Sequence, residues 1–219
     1  MNYLLYGVLP TPVRPWPRKL SGVAGRPVFL VGENGLSAAV SGIEESCSAP
    51  EVSDLLRYQE VIARIGRRCA VIPLRYGSVC ANPSQVTALL RKRSKHYRAL
   101  LNRLAGMAEM GIRMLLEGAG PEPPAIARSG VAYLDRLASR ARLSAEREKL
   151  AEEIHDSFLG FFKQSKKEFR FAGGRPVVSL HFLVPKKYLT PFRRVFRGVI
   201  GKTPATLLLS GPWPPFNFV

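Results

Sequence analysis

Short apolar runs separated by turn-forming residues predict strands in the first third of the chain. Two of these runs flank Gly32-Glu33-Asn34-Gly35, and two apolar runs around a turn-rich linker are typical of a β-hairpin. The first run, which is aromatic and aliphatic, ends close to Pro10 and is predicted to be buried. The four predicted strands are Tyr3–Val8, Pro27–Val31, Leu36–Ser41 and Cys69–Pro73.

Two further stretches follow the period of an amphipathic helix. The first, Asp54–Gly66, ends at a glycine, which is a common helix stop. The second begins at Asn82-Pro83-Ser84-Gln85, where Asn is a good N-cap, Pro suits the first turn and Gln stands at the capping-box position. It is predicted to run to Gly106. The apolar face of the first helix consists of Leu55, Tyr58, Ile62 and Ile65.

The second half of the chain has the predicted order β-α-β-α-β. Glycine- and proline-rich Gly118–Pro124 interrupts it as a linker. The order suits a ferredoxin-like α+β domain whose first helical connection is enlarged into a three-helix insertion at about residues 120–170. The predicted elements are a strand at 107–115, helices at Val131–Arg142 and Ser144–Lys167, a strand at Val177–Val184, a helix at 190–200 and a strand at 205–210.

The predicted fold class is therefore α+β, with an N-terminal domain at 1–105 and a C-terminal domain at 106–219. The last nine residues, 211–219, hold Trp213, Phe216 and Phe218 among three prolines, which favour an extended chain. Because an apolar tail must find a place to bury itself, we expect it to pack between the two domains or to dock on a partner.

Composition narrows the class of protein. Apolar residues make up 46% of the 219 residues, and the formal net charge is +17. No apolar run approaches the ~20 residues of a membrane-spanning helix, so we expect a soluble cytoplasmic protein without a membrane partner. The three cysteines, Cys47, Cys69 and Cys80, contain no CxxC pair, which argues against a disulfide framework or a zinc site.

The positive charge is concentrated. Arg57–Arg103 holds eleven Lys and Arg residues against the single acid Glu60, and no acid follows Glu168. Such a surface attracts a polyanion or an acidic protein, or it is simply solvated. A nucleic-acid-binding module is the alternative function that this charge supports, although the chain has no RNP, KH or helix-turn-helix signature.

No catalytic, cofactor-binding or metal-binding pattern is recognisable. The three histidines, His96, His155 and His181, lack neighbouring ligands at metal spacing, and no phosphate-binding or nucleophile motif occurs. We therefore expect no cofactor and no enzymatic activity. Arg75 lies within an apolar stretch, so we expect its side chain either to reach the surface or to pair with Glu109. A pocket lined by these two residues and a histidine would instead favour an enzyme.

Six segments in order along the chain resemble the gas vesicle protein L/F family. The closing segment is the most specific of them, because it combines glycine, three prolines and three aromatic residues. The six segments are Tyr3–Gly7 (YLLYG), Leu36–Ser41 (LSAAVS), Val71–Val79 (VIPLRYGSV), Gly106–Arg113 (GMAEMGIR), Ser129-Gly130 with Tyr133-Leu134, and Ser210–Phe218 (SGPWPPFNF).

The resemblance implies a non-enzymatic accessory or minor structural protein needed for gas vesicle nucleation and assembly. It implies two α+β domains, the second ferredoxin-like, with the tail between them. The implied partners are the small amphipathic wall protein and other accessory proteins, on the vesicle and in the cytoplasm. A strand edge near Tyr3–Val8 or Cys69–Leu74 is the expected contact. The expected partner-binding or interdomain residues are Tyr3, Tyr6, Arg75, Tyr76, Glu109, Arg113, Trp213, Phe216 and Phe218.

Overall fold

A computed structural model describes residues 1–11, 16, 19–44, 51–115, 145–172 and 175–219. The contacts divide the chain into two compact units. The N-terminal unit contains Met1–Glu109 and Pro212–Val219, and the C-terminal unit contains Met110–Gly211. The predicted boundary at 105/106 stays a prediction. The linker at Gly118–Pro124, the helix at Val131–Arg142 and most of the predicted insertion lie outside the described residues.

The N-terminal unit is built on one antiparallel sheet. Its strands run in the order β2-β3-β1-β4, and β5 also pairs with β1. The predicted hairpin is confirmed. Its two-residue turn, Asn34-Gly35, has positive φ at both positions, as a type I′ turn requires. The strands are β1 (Asn2–Pro10), β2 (Phe29–Glu33), β3 (Leu36–Ile43), β4 (Ile72–Pro73) and β5 (Val79–Cys80).

Three helices cover this sheet: α1 (Val52–Gly66), α2 (Pro83–Lys92) and α3 (Ser94–Leu104). The predicted N-cap is present, because Asn82 Oδ1 accepts from the Gln85 N–H group at 2.9 Å. The Gln85 side chain reaches one residue beyond the N-cap, because its Oε1 accepts from the Ala81 N–H group at 2.9 Å. The prediction of one continuous second helix was wrong.

The second helix is interrupted at Arg93, which lies outside the helical region at φ −109° and ψ 16°. This break redirects the chain across the sheet. As a result, α2 contacts β2, β3 and β5, whereas α3 contacts β1 and β4.

Apolar side chains fill the space on both faces of the sheet. Leu4, Tyr6 and Leu9 of β1 pack with α1 in one core cluster. The apolar faces of α2 and α3 are buried as well, at Val86, Leu90, Leu101 and Leu104. Burial of this kind supplies most of the stability of short amphipathic helices such as these.

The C-terminal unit contains a second sheet with strand order β7-β8-β6-β9. The elements in its described residues follow the order β-α-β-β-α-β, which is the order of the ferredoxin-like split βαβ arrangement. The elements are β6 (Met107–Leu115), the helical residues 145–156 (α4), β7 (Gln164–Ala172), β8 (Arg175–Pro185), α5 (Leu189–Ile200) and β9 (Thr206–Trp213).

Strand β7 is missing from the predicted order, because the helix predicted at Ser144–Lys167 ends at residue 156. Gly160, at φ 88°, lies between the two elements. Strand β7 then pairs with β8 in an antiparallel hairpin from Gln164↔Leu183 to Ala172↔Arg175. Its charged side chains hide the apolar alternation that would identify a strand, because they lie at an exposed sheet edge.

Candidate functional site

The C-terminal tail, Pro212–Val219, belongs to the N-terminal unit and has two kinds of residue. Pro214, Pro215 and Phe218 are buried, with 3% of the Phe218 side chain exposed. Trp213 and Phe216 are 50% and 37% exposed. The tail therefore places two large aromatic side chains at the surface on a segment that has its own buried anchors.

The strongest polar anchor of the tail is Glu109. Its carboxylate, which is 5% exposed, accepts from the Asn217 backbone N–H group at 2.9 Å and from Asn217 Nδ2 at 2.5 Å. Hydrogen bonds to a charged acceptor are shorter and stronger than bonds between neutral groups. This pair of bonds fixes both the backbone and the side chain of Asn217.

Two further contacts fix the tail on either side of Asn217. The guanidinium group of Arg103, at the end of α3, donates to the Phe218 carbonyl oxygen at 2.6 Å. The Pro214 ring lies against Gly66 at the end of α1, where an added Cβ would lie 3.2 Å from Pro214 Cγ. The tail thus has defined positions for its backbone, and Trp213 and Phe216 need little ordering to meet a partner.

Tyr6 is a core residue. It is fully buried, its hydroxyl accepts from the Val23 N–H group at 2.9 Å and it shares a hydrogen bond with Ser41 Oγ at 2.9 Å. Its ring stacks on Tyr58 at a centroid distance of 4.9 Å. Burial raises the pKa of both phenols. Tyr6 therefore stabilises the N-terminal unit and does not face a partner.

Tyr58 is the residue of this cluster that the predicted site left out. Its hydroxyl donates to the Leu5 carbonyl oxygen at 2.7 Å, and the carbonyl oxygens of Leu74 and Arg75 lie at 3.0 and 3.1 Å. The available signal was its place on the apolar face of α1. The tyrosine hydroxyl thus joins α1 to β1 and to the loop after β4.

The remaining predicted site residues are dispersed. Tyr76 meets Tyr58 edge to face at 5.2 Å, and half-buried Tyr3 meets Phe29 in the same way at 6.0 Å. Arg75 and Arg113 are exposed. Of the two predicted fates of Arg75, reaching the surface is the one observed, since the Glu109 carboxylate is buried against Asn217.

The predicted strand edge at Tyr3–Val8 was wrong. Strand β1 is central, because β3 pairs with one side of it and β4 and β5 pair with the other. Its backbone groups are therefore occupied and cannot accept an added strand. The alternative, Cys69–Leu74, contains β4, a two-residue strand that includes Pro73.

A basic depression lies where α2 meets α3. Its volume is about 620 Å³. Most of its cationic side chains are exposed, and the nearby aromatic Tyr97 is buried. The lining residues are Arg91, Lys92, Arg93, Ser94, Lys95 and His96. This surface suits an anionic partner.

One cluster in the described part of the chain has the composition of a metal site. The ligand atoms of Glu152, His155 and Asp156 lie within 4.8 Å of one another. His155 uses Nδ1 toward Asp156 at 3.1 Å and Nε2 toward Ser165 Oγ at 2.9 Å, and Lys167 binds Glu152 at 2.8 Å. Because each side chain already has a protein partner, the cluster is better explained as polar contacts that join α4 to β7.

Among the described residues, no helix combines the length and the apolar character needed to cross a membrane.

Comparisons with known proteins agree across the chain. The model of the family "Gas vesicle synthesis protein GvpL/GvpF" matches residues 2–219. Gas vesicle protein F2 of Halobacterium salinarum is 28% identical over 91% of this chain and 84% of its own length. Gas vesicle protein F of a Streptomyces strain is 30% identical over 52% of this chain and 48% of its own length.

The fold has the same relatives. The crystal structure of gas vesicle protein GvpF from Anabaena covers 99% of this chain, and the chain covers 97% of it, with a TM-score of 0.83 and 18% identity. The corresponding protein of Microcystis aeruginosa has the same TM-score at 15% identity. The predicted α+β class and the predicted resemblance are both confirmed. This chain belongs to the GvpL/GvpF family of gas vesicle proteins.

Proposed function

We propose that this protein is a non-enzymatic accessory protein that takes part in the nucleation and assembly of gas vesicles in the cytoplasm. In this proposal it binds the small amphipathic wall protein and other accessory proteins, and it is present on the vesicle and free in the cytoplasm. Family membership over residues 2–219 supports the gas vesicle role. The observation that carries the proposed contact is the exposed aromatic pair on an anchored tail.

The physical reason lies in the partner. A small wall protein with an apolar face aggregates unless that face is covered before polymerisation. Trp213 and Phe216 offer large apolar area, and the buried anchors Pro214, Pro215 and Phe218 hold them in place. Aromatic side chains with little freedom to lose contribute much of the binding energy at protein interfaces.

The test is affinity co-purification of the protein with its wall protein at low salt and at about 0.5 M salt, where exposed charges are screened within a few ångströms. The Trp213→Ala/Phe216→Ala double variant should lose at least about tenfold in binding. The matched control is Leu159→Ala/Phe169→Ala, which removes two side chains that are 60% and 50% exposed on the C-terminal unit.

The expected pattern is binding that persists at high salt, falls with the tail variant and is unchanged in the control. Equal loss in both variants, or full binding by the tail variant, would assign the contact to another surface. Binding that disappears at 0.5 M salt would move the contact to the charged helix faces.

The basic depression at α2 and α3 supports a second candidate, which is nucleic-acid binding. Phosphate neutralisation by its cations would produce affinity for RNA or DNA that falls steeply with salt. Single-stranded nucleic acid usually also stacks on exposed aromatic residues, and Tyr97 is buried. The test measures the RNA affinity of the protein and of the Lys92→Gln/Lys95→Gln variant across a salt series. If this candidate is correct, the decrease of log affinity with log salt concentration is less steep in the variant.

A further inference from the structure

The edges of the two sheets differ in how well they are protected against added strands. Natural edges are blunted by charges, by proline or by being short. Strand β4 has two residues and contains Pro73, and β2 has five residues and ends at Glu33, which pairs with Arg91 at 3.0 Å. Strand β7 carries exposed Lys166, Lys167 and Arg170.

Strand β9 has none of these devices before Pro212, its second-to-last residue. Its eight residues, TLLLSGPW, carry no charge, and the last charged residue before them is Lys202. In the described part of the chain, β6 is the one strand that pairs with β9. Pro212 has no N–H group, so the length available for pairing is Thr206–Gly211. Leu208, on this strand, is 51% exposed.

We propose that strand β9 is a docking edge for an extended segment of a partner protein that carries acidic side chains. The partner strand would add to the sheet through main-chain hydrogen bonds along Thr206–Gly211. This inference goes beyond the role proposed for the tail, because it assigns a different surface and a different kind of contact.

Charge determines the chemistry of the occupant. Arg193 of α5 reaches the edge, where its Nη2 lies 3.5 Å from the Gly211 carbonyl oxygen. Arg197 lies one helical turn further along the same side of α5, and both arginines are exposed. No acid follows Glu168 in the sequence, so α5 and β9 contribute positive side chains and no carboxylate side chain. Carboxylates on an added strand would meet these guanidinium groups.

The same charges disfavour a second copy of this chain. Antiparallel pairing of two β9 strands would bring the arginines of two α5 helices together. It would also join two chains that each carry a formal charge of +17. Like charges placed opposite each other at an interface are costly. An acidic partner strand would avoid this repulsion, whereas a second copy of the chain would cause it.

The test uses a labelled ten-residue peptide of alternating valine and glutamate, with binding followed by fluorescence anisotropy. A matched peptide has the same glutamates but proline in place of the central valines, so its charge is kept while strand pairing is blocked. We expect the first peptide to bind at least about tenfold more tightly than the second. Equal affinities would overturn the proposal, because they would show attraction by charge alone.

Two charge-matched variants locate the contact. Arg193→Gln/Arg197→Gln removes two cations beside β9, and Lys92→Gln/Lys95→Gln removes two cations from the depression on the N-terminal unit. We expect the first variant to weaken binding by at least about tenfold and the second to change it less than twofold. Equal effects, or a larger effect of the second variant, would exclude β9 as the site.

Hydrogen exchange of the backbone amides distinguishes strand pairing from attraction by surface charge. Peptide binding should slow the exchange of Thr206–Gly211 amides and leave the amides of β7 unchanged. Uniform or absent protection would contradict strand addition. Sedimentation of the peptide-free protein as a dimer that Leu208→Lys dissociates would replace the acidic partner by a second copy. Neither peptide result depends on the wall protein, so failure here is distinguishable from failure of the proposed tail contact.

Discussion

Two groups of aromatic residues in the N-terminal unit have opposite surroundings. Tyr6 and Tyr58 are 0% and 2% exposed, stack on each other and direct their hydroxyls to partners inside the unit. Trp213 and Phe216 are 50% and 37% exposed on a tail in which Pro214, Pro215 and Phe218 are buried. The difference shows that the place of an aromatic residue in the folded unit, and not its type, decides whether its side chain stabilises the fold or is available to a partner.

The largest expected effect is the difference in stability between truncating a buried aromatic residue and truncating an exposed one. Tyr6→Ala should lower the free energy of unfolding by about 3–5 kcal/mol, because it leaves a core cavity and an unpaired Val23 N–H group. Trp213→Ala should lower it by less than about 1 kcal/mol, as is usual at exposed positions. Urea denaturation of the two variants measures both changes, and similar values for them would contradict the contrast.

The second effect concerns the connection between the buried anchors and the exposed pair. Glu109→Gln removes the negative charge of the carboxylate that accepts two hydrogen bonds from Asn217. This substitution should lower the free energy of unfolding by about 1–3 kcal/mol. It should also accelerate hydrogen exchange at the Asn217 backbone N–H group, because the carboxylate oxygen that accepts from this group is lost or replaced by a neutral amide oxygen. Glu60→Gln is the matched control, since Glu60 pairs with Arg57 and Arg64 at the surface and such pairs contribute little. Unchanged exchange at Asn217 would show that the tail is held without Glu109.

The last effect is a pH dependence that the buried tyrosines Tyr6 and Tyr58 contribute at alkaline pH. Because burial raises the pKa of Tyr6 and Tyr58 above the ordinary 10.0, the unfolded chain loses these protons first as the pH rises. Stability is therefore fully present below pH 10 and falls above it, by about 1.4 kcal/mol per tyrosine for each pH unit until the folded state also ionises. Urea midpoints from pH 8 to 11 should show this fall, with a shallower slope for Tyr58→Phe. An identical slope in that variant would remove Tyr58 from the explanation.

Local signals predicted several elements correctly because the chemistry that forms them is local. The Asn34-Gly35 turn supplies its own positive φ angles, and the Asn82 and Gln85 side chains satisfy N–H groups within four residues. The helical period placed Tyr58, Ile62 and Ile65 on a face that is buried. The apolar, proline-rich composition of the tail likewise indicated that part of it would be buried.

The predictions that were wrong concern elements whose form depends on pairing with distant parts of the chain. Charged β7 is a strand because it pairs with β8, and its own side chains do not reveal this. Strand β1 is central because strands from three other parts of the chain reach it. Arg93 interrupts a pattern that is helical on both sides, since α2 and α3 must lie on different strands of one sheet.

The sequence by itself determined the family, the α+β class, the positive charge and the local turns and caps, because each depends on residue identity or on contacts a few residues apart. Only the tertiary structure decided that Glu109 receives Asn217, that Tyr6 is core and that Trp213 and Phe216 are exposed. Glu109 and Asn217 are separated by 108 positions. Nothing in either residue's neighbourhood specifies the other, because their meeting depends on packing that the whole unit completes together.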